Sequence, residues 1–208
     1  MIKLIAFDFW GTLAIKRNPF FHFSEEIKKE FEINLSKEKI STLYQETVQI
    51  KYWESQADAF TEFARRLKIS PTKDNIVKLI GIRNKSEDGI LVFDFVIPLL
   101  KKLREKRYKI AIISNCSMFT YQTIKKETNL LKYIDYEHFS FQAGYTKPNP
   151  QIYLELQRKA KVFNNEMIMI GDDFENDFKA PKKLGINAIM FKTYEDLLIE
   201  FKKYNIEL

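Results

Sequence analysis

Four short apolar runs, each closing on a polar group, restrict the possible folds of this chain more than any other feature. They are KLIAFDF at 3–9, KIAIISN at 109–115, MIMIGD at 167–172 and NAIMFK at 187–192. Each is continuous rather than alternating, the pattern of a strand covered on both faces in a parallel sheet. A weaker fifth run is HFSFQAG at 138–144. Helical patterns separate them at 95–106, 118–134, 149–162, 176–186 and 193–205, with Pro150 suited to a first turn, Gly185 to a C-cap and Thr193 to an N-cap. Strand–helix alternation of this kind predicts an α/β fold, a doubly wound, Rossmann-like parallel sheet.

Residues 15–90 break the alternation. They hold no convincing strand and show four helical patterns, FSEEIKKEFEI, SKEKISTLYQETVQIKYWES, ADAFTEFARRLKI and SPTKDNIVKLIGI. The expected organisation is therefore a core of residues 1–14 and 91–208 with a helical cap subdomain inserted at 15–90. An insertion leaving the carboxyl end of the first strand sits over the crevice where open α/β sheets bind ligands, and there it can act as a lid.

In a parallel sheet the polar strand ends share one edge. Asp8 closes the first run and Thr12 follows its turn. Ser114 and Asn115 close the second. Lys147 lies in the loop GYTKPNP, and Asp172, Asp173 and Asp177 follow the third long run in GDDFENDF. Each has a plain structural use, as a turn cap, helix cap or solvated first turn. Their joint occurrence at strand ends argues for chemistry instead. A carboxylate at a strand tip can be a nucleophile. Several carboxylates facing one point need a cation between them, and all-oxygen ligation suits Mg²⁺. Lys147 would balance the charge, and Ser114 with nearby backbone N–H groups would hold phosphoryl oxygens.

Charge and composition narrow the class of partner. The net charge is +6, yet the basic residues interleave with acidic ones along the chain. The densest run, KKLREKR at 101–107, reads as a solvated helix face, so nucleic acid is not an expected partner while a small anionic substrate is. No apolar run approaches the roughly 20 residues of a membrane span. Met1 leads straight into the first run, and the single cysteine, Cys116, allows no internal disulfide, so a cytoplasmic protein without membrane partners is expected, as monomer or homodimer. Cys116, near the expected site, reads as a packing residue.

The segments DFWGT, ISN, TKP and GDDFEND, spanning residues 8–177, together resemble the four motifs of the haloacid dehalogenase-like hydrolase superfamily. The insertion resembles that superfamily's helical cap of the first type. The resemblance implies Asp8 as nucleophile, Thr12 and Ser114 as phosphate-orienting hydroxyls with Gly11 and Asn115 beside them, and Lys147 as the charge-balancing lysine. It implies Asp172 as the main acidic ligand of Mg²⁺, Asp173 as a second possible ligand, the backbone carbonyl of Trp10 as a further one, and Asp177 as the residue orienting Lys147 or a metal-bound water.

Trp10 departs from the pattern. In phosphatases of the superfamily this place holds an aspartate that protonates the leaving alkoxide and then activates water. An indole N–H is only a donor, and general acid–base catalysis contributes typically about 10²–10⁴-fold. The metal-independent 2-haloacid dehalogenases resemble this chain here, with an aromatic residue and a halide that leaves unprotonated. The acid-rich GDDFEND instead resembles the phosphatases. Three readings follow: Mg²⁺-dependent hydrolysis of a phosphorylated small molecule, dehalogenation, or ligand binding without turnover. Trp10 is expected to line the substrate pocket in any of them.

Overall fold

The computed structural model describes residues 1–208. Five strands, β1 (Leu4–Phe7), β4 (Lys109–Ser114), β5 (Tyr136–Phe139), β6 (Met167–Gly171) and β7 (Asn187–Met190), form one sheet of order β5-β4-β1-β6-β7. Every pairing within it is parallel. Two further strands, β2 (Ala14–Lys16) and β3 (Ile90–Val92), pair antiparallel as a separate ribbon with Ile15 opposite Leu91.

The sheet is covered on both faces, as its continuous apolar strands require. Ile5, Phe7, Ile110, Ile112, Ile168 and Ile170 point into a 25-residue cluster. It is filled from α5 (Val96–Glu105), α6 (Met118–Glu127) and α10 (Tyr194–Lys203). Their neighbours Leu4, Ala6, Ala111, Ile113, Met167 and Met169 point to the other face, against α8 (Pro150–Ala160). The chain runs outward from β1 through β4 to β5, then crosses to β6 on the other side of β1. The carboxyl ends of β1 and β6 therefore flank the topological switch point, where such sheets bind ligands.

Four helices fill the long insertion: α1 (Phe23–Glu30), α2 (Lys37–Val48), α3 (Gln56–Arg66) and α4 (Lys73–Ser86). Ser36, Ser55 and Thr72 cap the last three, each accepting from the backbone N–H three residues on. The helices share a 13-residue cluster of their own, and every member except Phe119 of α6 comes from residues 27–79. The insertion meets the rest of the molecule through aromatic and polar contacts: Tyr52 meets Phe141 edge-on at 5.0 Å, the Trp53 backbone N–H donates to Met118 Sδ at 3.0 Å, and the buried Arg83 guanidinium donates to Thr120 Oγ1 at 3.2 Å.

The structure corrects several local expectations. Residues 15–90 do contain strand, at both ends, in the three-residue pieces of β2 and β3. The fifth run is a strand only to Phe139, and Ser140–Ala143 then forms the short helix α7. The helix expected over 118–134 stops at Glu127, and a 3-10 turn follows at Leu130–Tyr133. The helix expected from Asn176 is a π-helical segment, Phe174–Lys179, running into α9 (Ala180–Lys183), with Gly185 just beyond at φ 74°.

Candidate active site

Asp8 lies one residue past β1, and its backbone N–H donates to Ile170 O of β6 at 2.8 Å. The chain then turns tightly. Gly11 N–H donates to Ala14 O, and the N–H groups of Leu13 and Ala14 both donate to Phe9 O. None of the turn's backbone hydrogen bonds uses the Trp10 carbonyl. Gly11 has φ 73°, and a Cβ there would stand 2.2 Å from Asp172 Oδ2. Glycine is thus demanded twice, by the left-handed backbone and by the carboxylate pressed against it.

Lys147 is 3% exposed and bridges two acids, with Nζ 2.8 Å from Asp8 Oδ1 and 2.6 Å from Asp177 Oδ1. Burial works to lower its pKa, but the Asp8 and Asp177 charges prevail and hold the ammonium above its ordinary value. Its loop is fastened by Asn115, whose side chain accepts from Lys147 N–H at 2.7 Å and donates to Lys147 O at 3.0 Å. Asn115 therefore positions Lys147 as well as lining the cavity described below. Ser114, 1% exposed, ends β4 at the same edge of the sheet.

The acidic segment after β6 divides its labour. Oxygens of Asp8, Asp172 and Asp177 lie within 4.8 Å of one another. Asp172 has one side-chain hydrogen-bond partner, Thr12 Oγ1, at 3.4 Å. Burial, and then the Asp8 charge, raise the Asp172 pKa. Asp177 is fully buried, and burial raises its pKa while Lys147 opposes the shift. Its Oδ2 accepts from Asp173 N–H at 3.1 Å, so both its oxygens are engaged. The structure does not bring the Asp173 carboxylate into this group. That side chain is exposed and caps the π-helical segment through Asn176 N–H at 2.8 Å. A caps-or-ligand choice at two adjacent acids is invisible in a linear sequence.

Sequence reasoning also passed over Gly171. A Cβ there would come 2.2 Å from Asp177 Oδ2, so the last residue of β6 must be bare for Asp177 to fold back beneath it. The available signal was a glycine standing directly before an acid pair at a strand end. Cys116 is buried, its N–H held by Ser140 Oγ at 2.9 Å, and burial pushes its thiol pKa well up, as suits an inert packing residue.

A cavity of about 450 Å³ opens beside Trp10 and Asn115, between the sheet edge and the four-helix unit, and none of the three clustered acids lines it. Trp10 and Asn115 line it from the sheet side, and Ser41, Tyr44, Gln45 and Gln49 from α2 and its end. The Trp10 ring packs edge-on against Phe9 at 4.9 Å, with Lys16 Nζ 5.9 Å from its centroid. None of the four arginines of residues 15–90 lines the cavity, and Arg83 is buried against Glu87 and Thr120. No helix of the protein is long and apolar enough to cross a membrane.

Known proteins resemble this chain in sequence and in shape. Over 95% of its length the chain is 24% identical to 88% of a glyceraldehyde 3-phosphate phosphatase from Methanopyrus kandleri. It superimposes with a TM-score of 0.68 and 20% identity on a HAD family enzyme from Bacteroides thetaiotaomicron solved with magnesium and inorganic phosphate, covering 95% of this chain and 99% of that one. A 2-haloacid dehalogenase from Pseudomonas syringae pv. tomato gives a TM-score of 0.63 at 16% identity, covering 94% and 90%. Shape alone therefore does not choose between ester and carbon–halogen chemistry. The family model for haloacid dehalogenase-like hydrolases matches residues 5–191, from the strand that carries Asp8 to the end of the sheet, and the chain belongs to that family.

Proposed function

We propose that this hydrolase cleaves phosphomonoesters of small molecules in a Mg²⁺-dependent reaction, with Asp8 as nucleophile and residues 15–90 acting as a cap over the core of 1–14 and 91–208. The observation that carries the reading is the convergence of Asp8, Asp172 and Asp177 within 4.8 Å. One lysine compensates two of these acids, while Asp172 keeps only a long bond to Thr12. That residual negative charge, on oxygen donors alone, fits a hard divalent cation. Asp8, Asp172 and the Trp10 carbonyl would hold it, and when bound it would neutralise charge on the transferring phosphoryl group. The M. kandleri relative's name and the magnesium and phosphate of the B. thetaiotaomicron structure support the same direction.

In the proposed reaction an Asp8 carboxylate oxygen attacks phosphorus, the bond from phosphorus to the alcohol oxygen breaks, and an aspartyl phosphate forms on Asp8. Water then attacks that phosphorus, the bond to Asp8 breaks, and inorganic phosphate leaves with the carboxylate restored. Lys147 pairs with Asp8 and aims it, and Asp177 holds Lys147. Thr12 and Ser114 orient phosphoryl oxygens. Trp10 supplies no proton, so the departing alkoxide takes one from water, and esters of acidic alcohols such as phenols react fastest.

The position of Trp10 favours a second reading, dehalogenation at carbon. Against it stand the uncompensated Asp172 and the lack of any arginine in the cavity to hold a carboxylate and halide. A paired assay decides. Phosphate release from an aryl phosphate, abolished by chelator and by Asp8→Asn, is the expected result. Chelator-insensitive halide release from 2-chloropropionate, lost in Asp8→Asn, would replace it with the second reading.

A further inference from the structure

The cavity beside Trp10 holds charge that the phosphoryl chemistry does not use. Its other charged side chains are mostly paired: Lys37 with Glu25, and Glu87 with Arg83. Lys16 forms neither an ion pair nor a hydrogen bond. It stands at the end of β2, where the chain leaves the core, with its ammonium beside the Trp10 ring. Burial lowers its pKa, Glu87 opposes the shift and Arg83 adds to it, so the cation is desolvated without a full counter-charge.

Lys16 thus lines the cavity as an unpaired cation beside Trp10, which stands two residues from the proposed nucleophile.

We propose that Lys16 forms a subsite for a second anionic group on the leaving alcohol, so that the substrate is a small phosphorylated hydroxy compound bearing a carboxylate or a second phosphate. This rests on the phosphomonoesterase reading and narrows its substrate class. Lys16 ion-pairs with the anion. The Trp10 face packs against the short carbon chain between the two anionic ends.

The test separates binding from turnover. Asp8→Asn protein with Mg²⁺ is titrated calorimetrically with ethyl phosphate, phosphoglycolate and ethylene glycol bisphosphate. At least one doubly anionic ester is expected to bind more tightly than ethyl phosphate. Adding Lys16→Met is expected to shrink that preference about 10-fold or more, the usual size of a charge-assisted hydrogen bond, and Lys16→Arg to retain most of it. The ester whose preference shrinks more identifies the anion as carboxylate or phosphate. Equal affinity for all three esters in the Lys16 parent, or a preference unchanged by Lys16→Met, overturns the subsite. Failure of the unmodified enzyme to cleave any phosphomonoester would instead remove the phosphatase reading, and the calorimetry would still decide the subsite.

Discussion

Replacing Lys147 by methionine keeps most of its volume and removes its charge. Lys147 and the Asp177 side chain are almost wholly enclosed, at 3% and 0% exposure, and the Asp8 side chain is 11% exposed. Taking away one member of a buried ionic set leaves the others uncompensated and costs about 3–5 kcal/mol. Against a typical total stability of about 5–15 kcal/mol, that is a large fraction. The loss is expected in full only in chelator. A divalent cation at the acids would replace the missing charge, and it would bind the variant more tightly than the native protein because Lys147 no longer repels it. Ligand bound at about 100 times its dissociation constant adds about 2.7 kcal/mol to stability, so Mg²⁺ should recover a good part of the deficit. Urea unfolding followed by far-ultraviolet circular dichroism, with and without Mg²⁺, measures both quantities. The reasoning fails if the variant in chelator is within about 0.5 kcal/mol of the native protein, or if Mg²⁺ stabilises the variant less than it stabilises the native chain.

Three further outcomes are expected. Trp10→Asp restores a group able to donate and accept a proton, and it should raise turnover of alkyl phosphates by about 10-fold or more while changing aryl phosphates little; equal effects on both esters in a folded variant would contradict the role assigned to the indole. Gly11→Ala meets Asp172 Oδ2 at 2.2 Å in a left-handed backbone, so the midpoint of Mg²⁺ activation should rise at least about 10-fold with a stability loss of about 1–2 kcal/mol; an unchanged Mg²⁺ midpoint would count against Asp172 as a ligand. His138 is buried, with Nε2 2.9 Å from Ile152 O, and burial, with Lys159 nearby, lowers its pKa from 6.5 to about 4. The unfolded chain therefore binds the extra proton between those values, and this residue's contribution of about 2–3 kcal/mol is present above pH 6.5 and lost as pH falls towards 4. His138→Gln should flatten that limb of the stability–pH curve, and an unaltered slope would show that His138 is not its source.

The central sheet was legible because its strands are buried on both faces, so their apolar runs are unbroken, and because every crossover helix carries its own amphipathic pattern. The β2–β3 ribbon was not, since three residues are too few for a period to show. The break after Glu127 was hidden by a helical pattern continuing across a turn. In the site, Asp8, Thr12, Ser114, Lys147 and Asp172 could be placed at one edge from strand ends alone. Asp173 and Asn115 could not be assigned, because an acid that caps a helix and one that faces a cation look alike in sequence, as do an amide that grips a neighbouring loop and one that meets substrate. Lys16 carried no signal: it is an ordinary lysine made unusual by a side chain without a partner in a cavity.

The paired strands β2 and β3 bring the outgoing and returning chain side by side, Ile15 facing Leu91, so that everything between leaves the core through a single doorway two strands wide. A segment attached in this way can be exchanged for another of different length without rethreading the sheet. Asp8, Trp10 and Lys16 would remain with the doorway, while the cavity-lining residues of α2, Ser41, Tyr44 and Gln45 among them, would go with the exchanged segment. In the proposed reading the reacting groups and Lys16 stay on the core stretch while much of the cavity wall lies on the other, and grafting a foreign segment between Lys16 and Ile90 is a practical route to reshaping that wall without touching the reacting groups.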